Sequence, residues 1–148
     1  MDQDKMIDSI LLVDDENLFH MVFEDACSLL DITLGLQTLN NVNDAENLFK
    51  QWNAGNGKRV ECVFVDLNII GSSYDGIEMV RKINKELGNN VVIGIISSSA
   101  EPAEIDKAKN VGAQFWIVKS DEIEPRLENF KKDYEGYKNH SIPFKVYK

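Results

Sequence analysis

The sequence predicts an α/β fold in which helices cover both faces of one parallel β-sheet. Five short apolar runs alternate with segments of helical periodicity along 148 residues, which is about the length of one domain. Two of the runs, Val60–Val65 and Val91–Ile96, consist mostly of Val, Ile and Phe, as is typical of strands buried on both faces. Because a helical segment separates each strand from the next, we expect five parallel strands that are joined by right-handed crossovers.

The first half of the chain contains three predicted strands and two predicted helices. The strands are the apolar runs Ile7–Val13, Thr33–Leu39 and Val60–Val65. Apolar residues recur at spacings of three and four over Phe19–Leu30 and again over Ala45–Trp52. This spacing places them on one side of a helix, so each segment is expected to pack against the sheet.

Proline and glycine residues mark the ends of three further helices. Pro102 and Pro125 fit the first turn of a helix, where a missing N–H costs nothing. Gly88 and Gly112 fit the C-terminal cap. The elements predicted in the second half are helix Ile77–Leu87, strand Val91–Ile96, a short helix from Pro102, strand Gln114–Val118 and helix Ile123–Tyr134.

Composition and charge disfavour several classes of function. A hydrophobic content of 43% and a charged content of 28% are those of an ordinary globular domain. The formal net charge of −9 disfavours binding to nucleic acid or to an anionic membrane. Cys27 and Cys62 stand alone in apolar contexts, which predicts neither a zinc ribbon nor a disulfide scaffold. The first residues lack the pattern of a signal peptide, so we expect a cytoplasmic protein.

One folded domain is expected over residues 1–135, followed by a disordered tail over residues 136–148. In the flavodoxin-like strand order 2-1-3-4-5, ligands bind where the strand order reverses, at the carboxyl ends of the first and third strands. Both of these strands end in carboxylates, the first in Asp14-Asp15 and the third in Asp66. Their mutual repulsion predicts a hard divalent cation, and an all-oxygen site with room for water and phosphate favours Mg²⁺.

Polar residues also follow the fourth and fifth strands. Ser97 offers a hydroxyl donor and Lys119 a compact positive charge, and both suit the oxygens of a phosphoryl group that is delivered to an aspartate nucleophile. Each residue alone is compatible with a turn, a helix cap or a solvated surface charge. The combination at four strand ends is much harder to explain in that way.

With these residues in register, the chain is similar to the receiver domains of response regulators, the phosphoacceptor half of two-component signalling, from about Ser9 to Tyr134. The resemblance implies that Asp66 is phosphorylated by a histidine kinase or a histidine phosphotransfer protein. It also implies a downstream protein target and a domain that is not a turnover enzyme. The roles that it implies are metal binding by Asp14, Asp15, Asp66 and the main-chain carbonyl of Asn68, catalysis by Asp66, Ser97 and Lys119, and a partner face lined by Lys107, Lys109, Trp116 and Arg126.

Three features depart from the family pattern. The loop after Asp66 is longer than usual and lacks the customary proline. Ser120 replaces the proline that normally follows the lysine, so we expect a trans peptide bond there. Trp116 is bulkier than the usual Tyr or Phe, and its indole N–H will need a hydrogen-bond partner if it is buried.

Two alternative functions stay open at this point. The departures at Ser120 and in the loop after Asp66 are compatible with a receiver-like interaction module that no longer switches by phosphorylation. A phosphatase of the haloacid-dehalogenase type would also use an aspartate after a parallel strand. That family has a second aspartate two residues later, where this chain has Asn68.

Overall fold

A computed structural model describes residues 7–33, 35–57, 59–68, 75–88 and 91–148. Within these residues, six strands and five helices alternate. The strands are β1 (Ile10–Val13), β2 (Leu36–Leu39), β3 (Cys62–Asp66), β4 (Val92–Ser97), β5 (Phe115–Val118) and β6 (Lys145–Tyr147). The helices are α1 (Asn17–Leu29), α2 (Val42–Asn53), α3 (Gly76–Leu87), α4 (Pro102–Asn110) and α5 (Glu124–Lys138).

The strands form one parallel sheet in the order β2-β1-β3-β4-β5-β6. This confirms the doubly wound α/β fold and the predicted order of the first five strands. Strand order reverses at β1 and β3, because β1 lies between β2 and β3. The carboxyl ends of β1 and β3 therefore lie side by side at one edge of the sheet.

Alternate residues of the central strands enter two separate hydrophobic cores. On one face, Val63 and Val65 of β3 pack with α2, α3 and α4. On the other face, Phe64 packs with α1 and α5 and lies 5.1 Å, between ring centroids, from both Phe115 and Phe130. Burial on both faces explains why the runs of β3 and β4 contain hardly any polar residues.

Side chains and glycines define several helix ends. The side chains of Asn41 and Asp75 accept backbone N–H groups in the first turns of α2 and α3, as N-cap residues do. Gly88 and Gly112, predicted as caps, have φ values of 67° and 103°, in the region that glycine adopts without strain.

Two expectations about the fold are wrong. The C-terminal tail is ordered: α5 continues to Lys138, and β6 adds a sixth strand beside β5. The apolar residues Phe144, Val146 and Tyr147 supply the buried surface that holds it. Leu29, predicted on the buried stripe of α1, is 69% exposed. The unusual loop after Asp66 lies mostly outside the described residues, since 69–74 are not among them.

Candidate functional site

Residues from four strand ends meet at the carboxyl edge of the sheet. Asp14 follows β1, Asp66 ends β3, Ser97 ends β4, and Lys119 follows β5. Because β1, β3, β4 and β5 are neighbours in this order, their ends form one continuous row. Asp14, Asp66 and Ser97 are 0%, 5% and 2% exposed, so the row lies in a pocket rather than on an open surface.

The backbone around Asp66 is fixed by a close approach of α3. The N–H of Leu67 donates to the carbonyl of Ile96, and the N–H of Gly76 donates to the carbonyl of Leu67 at 2.8 Å. A Cβ atom at position 76 would lie only 2.2 Å from the carbonyl oxygen of Asp66. The helix can therefore begin beside the strand end only if residue 76 is glycine.

Lys119 is the positive centre of the pocket. Its Nζ atom lies 2.7 Å from Oδ2 of Asp14, 2.6 Å from Oε1 of Glu16 and 3.4 Å from Oδ2 of Asp66. The backbone N–H of Lys119 donates to the carbonyl of Ser97, which fixes the backbone from which the Lys119 side chain extends. Burial acts to lower the pKa of the ammonium group, but hydrogen bonds to Asp14 and Glu16 outweigh it, and the pKa is raised.

Asp66 carries the most perturbed carboxyl group of the pocket. Burial, and then the charge of Asp14, raise its pKa to about 7, although Lys119 acts in the opposite direction. Its Oδ1 atom accepts a long hydrogen bond, 3.5 Å, from the N–H of Asn68. Burial and the charge of Asp14 therefore outweigh the effect of the Lys119 ammonium on this carboxylate.

The acidic side chains have the arrangement that a divalent cation requires. Asp14, Asp15 and Asp66 each offer an oxygen, and these oxygens lie within 4.8 Å of one another. Oδ2 of Asp14 is fully buried and pairs with the Lys119 ammonium at 2.7 Å. An all-oxygen donor set beside the exposed residue Asn68, where water has access, is consistent with Mg²⁺.

Ser97 connects the pocket to Trp116 of β5. Its hydroxyl accepts the N–H of Ser99 at 3.3 Å. The carbonyl of Ser99 accepts the indole N–H of Trp116 at 2.9 Å. The expectation that a buried Trp116 needs a partner for its N–H is thus confirmed. No peptide bond within the described residues is cis, so the bond before Ser120 is trans, as expected.

Two residues at the site were missed from the sequence. Glu16, at the N-cap of α1, binds Lys119, which is 103 positions away along the chain. His20, in the first turn of α1, is the second: its Nε2 atom contacts the carbonyl of Asp14. His20 follows closely on the strand end that carries Asp14, and that position was the only available signal.

The predicted partner face is only partly accessible. Lys107 and Lys109 are exposed on α4, and Arg126 is half-buried, with its guanidinium donating to the carbonyl of Val118. Trp116 is 0% exposed, so the expectation that its side chain lines an accessible face is wrong. Strand β6 lies beside it, with Val146 opposite Trp116.

Comparisons with known proteins agree with this geometry. A family model described as the response regulator receiver domain matches residues 10–128. A search of curated proteins found no significant match.

No helix in the described part of the chain has the length and apolar character needed to span a bilayer.

Several solved structures share the fold at low sequence identity. A two-component response regulator from Cytophaga hutchinsonii is 21% identical, with a TM-score of 0.74, over 91% of this chain and 99% of that one. The phosphorylated cyanobacterial phytochrome response regulator RcpA is 19% identical, with a TM-score of 0.70 and coverages of 92% and 96%. A response regulator from Burkholderia pseudomallei, with a phosphorylated aspartic acid and a calcium ion, is 16% identical, with a TM-score of 0.66 and coverages of 92% and 75%.

Proposed function

Because the chain belongs to the response regulator receiver domain family, we propose that Asp66 accepts a phosphoryl group and that this event switches a protein-binding surface. The observation that carries the proposal is the position of Asp66. It is buried beside Asp14 and Asp15, with Lys119 Nζ 3.4 Å from its carboxylate. A purely structural module has no use for three converging carboxylates, since their repulsion lowers stability.

We propose that the donor is the phosphohistidine of a histidine kinase or of a phosphotransfer protein, or a small acyl phosphate. A carboxylate oxygen of Asp66 attacks phosphorus, and the bond from phosphorus to the donor nitrogen or oxygen breaks. The electron pair of that bond leaves with the donor group. Water later cleaves the aspartyl phosphate, which returns Asp66 and inorganic phosphate. One phosphoryl group per domain is held at a time, so the domain signals rather than turning over a substrate.

The residues around Asp66 support this chemistry in distinct ways. Asp14, Asp15, Asp66 and the carbonyl of Asn68 would hold Mg²⁺, which supplies positive charge to the phosphoryl oxygens when it is bound. Lys119 supplies a second positive charge, since its ammonium already lies among the carboxylates.

Ser97 supplies a hydroxyl donor from the end of β4. The hydroxyl now accepts the N–H of Ser99, and reorienting it toward a phosphoryl oxygen would release that N–H. Occupation of Asp66 would thus be communicated to the loop before α4.

Intact mass spectrometry tests the proposal. Incubation with acetyl phosphate and Mg²⁺ is expected to add one phosphoryl group to the wild-type chain and none to Asp66→Asn. Asp106→Asn, which changes an exposed carboxylate on α4, is the matched control and should be phosphorylated normally. An adduct that persists in Asp66→Asn, or no adduct on the wild type, would contradict the proposal, the latter in favour of a non-switching interaction module.

A second assay separates the receiver from the phosphatase alternative. The receiver proposal predicts a mass adduct that decays without sustained release of nitrophenol from p-nitrophenyl phosphate. Sustained turnover that Asp66→Asn abolishes would instead support a phosphatase.

A further inference from the structure

The C-terminal segment 139–148, called here the strap, covers the edge of β5. After α5 ends, the N–H of Ser141 donates to the carbonyl of Gly136, and β6 then runs parallel to β5. A Cβ atom on Gly136 would lie 2.7 Å from Cγ2 of Ile142. The chain can therefore fold back against α5 at this point only with a glycine at position 136. The strap lies beyond residues 10–128, which match the family model.

Polar contacts attach the strap to α5. Oδ2 of Asp133 accepts the hydroxyl of Tyr147 at 2.7 Å and pairs with Nζ of Lys145 at 3.0 Å. The hydroxyls of Tyr147 and Tyr137 lie 2.6 Å apart. Asp133 is thus a single side chain that holds two strap residues.

Apolar contacts attach the strap to the sheet and α4. Phe144 and Val146 pack against the hydrophobic core on the α2–α4 face. Nζ of Lys109 on α4 lies 5.6 Å from the ring centroid of Phe144. The strap therefore occupies the edge between α4 and α5, the surface on which a partner of β5 would have to bind.

A short chain of hydrogen bonds joins the strap to the pocket. The Ser97 hydroxyl accepts the N–H of Ser99, and the carbonyl of Ser99 accepts the indole of Trp116. The backbone of Trp116 pairs with Ile95 on one side and with Val146 of the strap on the other. A change in the position of the Ser97 hydroxyl can therefore affect β6 through Ser99 and the side chain of Trp116.

We propose that the edge of β5 is a strand-binding surface, that residues Phe144–Tyr147 of the same chain are its resting occupant, and that a phosphoryl group at Asp66 releases them. The proposal rests on the proposed function of Asp66. When the Ser97 side chain rotates toward a phosphoryl oxygen, the N–H of Ser99 loses its acceptor, and the Ser99 carbonyl that accepts the Trp116 indole is held less firmly. The paired β5–β6 edge is then less stable, and β5 becomes available to a downstream protein through strand addition.

The coupling must act in both directions. If a phosphoryl group weakens the strap, a weakened strap must favour the phosphoryl group by the same factor. Beryllofluoride with Mg²⁺ is a suitable probe, because it mimics the phosphoryl group without covalent chemistry. Its affinity can be compared between full-length variants.

Asp133→Ala is the test variant, because it removes the hydrogen bond to Tyr147 and the ion pair with Lys145 at a position outside the pocket. Its matched control is Glu128→Ala, which removes an exposed ion pair with Lys132 on the same helix. Tyr147→Phe, which removes two hydroxyl contacts, replaces Asp133→Ala if circular dichroism shows that the latter is misfolded. We expect Asp133→Ala to bind beryllofluoride at least about 5-fold more tightly than wild type, and Glu128→Ala to bind like wild type.

Hydrogen exchange measured by mass spectrometry supplies the direct readout. In wild type, beryllofluoride and Mg²⁺ should accelerate exchange of the amides of residues 145–147 by about 10-fold or more, while exchange at β3 slows. Binding without faster strap exchange, or unchanged affinity in the strap variant, would overturn the strap proposal alone. No binding to wild type would overturn the proposed function and the strap proposal together. A concentration-dependent dimer that protects residues 145–147 would mean that the occupant comes from a second copy, which also overturns it.

Discussion

The buried charge of Asp66 lowers the stability of the metal-free protein, so Asp66→Asn should raise it. Burial and the charge of Asp14 raise the pKa of this carboxyl from 3.8 to about 7. A carboxyl with a higher pKa in the folded than in the unfolded chain binds its proton more tightly when folded. The unfolding free energy of wild type therefore falls as pH rises through this interval, and the asparagine variant lacks this loss.

The structure sets the size of the effect. A pKa change from 3.8 to about 7 corresponds to roughly 4 kcal/mol if nothing screens the charge. Water reaches the pocket at exposed Asn68 and half-buried Asp15, so we expect about 1–2 kcal/mol of stabilisation above neutral pH. Lys119 keeps its two shortest contacts, to Asp14 and Glu16, in the variant.

Urea unfolding in EDTA, followed by circular dichroism at about pH 4.5 and about pH 8, measures the difference. Asp66→Asn should be more stable than wild type at the higher pH, with a smaller advantage at the lower pH. The control Asp106→Asn, on an exposed helix surface, should stay within about 0.5 kcal/mol of wild type at both. If Asp66→Asn is no more stable than wild type at the higher pH, then the charge of Asp66 is compensated, and this reasoning is wrong.

Three further substitutions test other parts of the pocket by urea unfolding in EDTA. Lys119→Met should cost about 3 kcal/mol, because it leaves a buried carboxylate without its cation, and added Mg²⁺ should restore part of that loss. Gly76→Ala should cost about 2 kcal/mol or more, since its Cβ would lie 2.2 Å from the carbonyl oxygen of Asp66; unchanged stability would mean that α3 shifts freely. Trp116→Phe should cost about 1–3 kcal/mol, because the carbonyl of Ser99 loses its indole donor, whereas a neutral result would show that water replaces it.

The fold and the centre of the pocket were predictable because they depend on periodicity and on strand order. A nearly continuous apolar run such as Val91–Ile96 is expected in a central strand of the sheet, where both faces are buried. Once the order of the strands is known, the ends of β1 and β3 must be adjacent. The meeting of Asp14 and Asp66 therefore follows from topology and requires no knowledge of side-chain conformation.

The strap and Glu16 were not predictable in the same way. The strap contains Pro143 and several polar residues and closely follows Gly136, a composition typical of a tail. Its order depends on contacts with Asp133 and with the β5 edge that no local pattern reveals. Glu16 enters the pocket because Lys119 extends across the sheet to it. Such long-range polar contacts depend on rotamers, which hydrophobic periodicity does not determine.

Charge balance in the pocket explains why the resting state is poised to change. The carboxylates of Asp14, Glu16 and Asp66 lie 2.6–3.4 Å from the ammonium of Lys119, and an oxygen of Asp15 lies within 4.8 Å of oxygens of Asp14 and Asp66. A phosphoryl group at Asp66, as proposed, would add further negative charge near neutral pH, so we expect it to require a divalent cation as well as a shift of Lys119 away from Glu16. In the proposed switch, the same demand for donors would turn the Ser97 hydroxyl toward the pocket and away from Ser99. Repulsion among the carboxylates destabilises the metal-free pocket. The same repulsion would therefore supply the free energy for the proposed release of the strap.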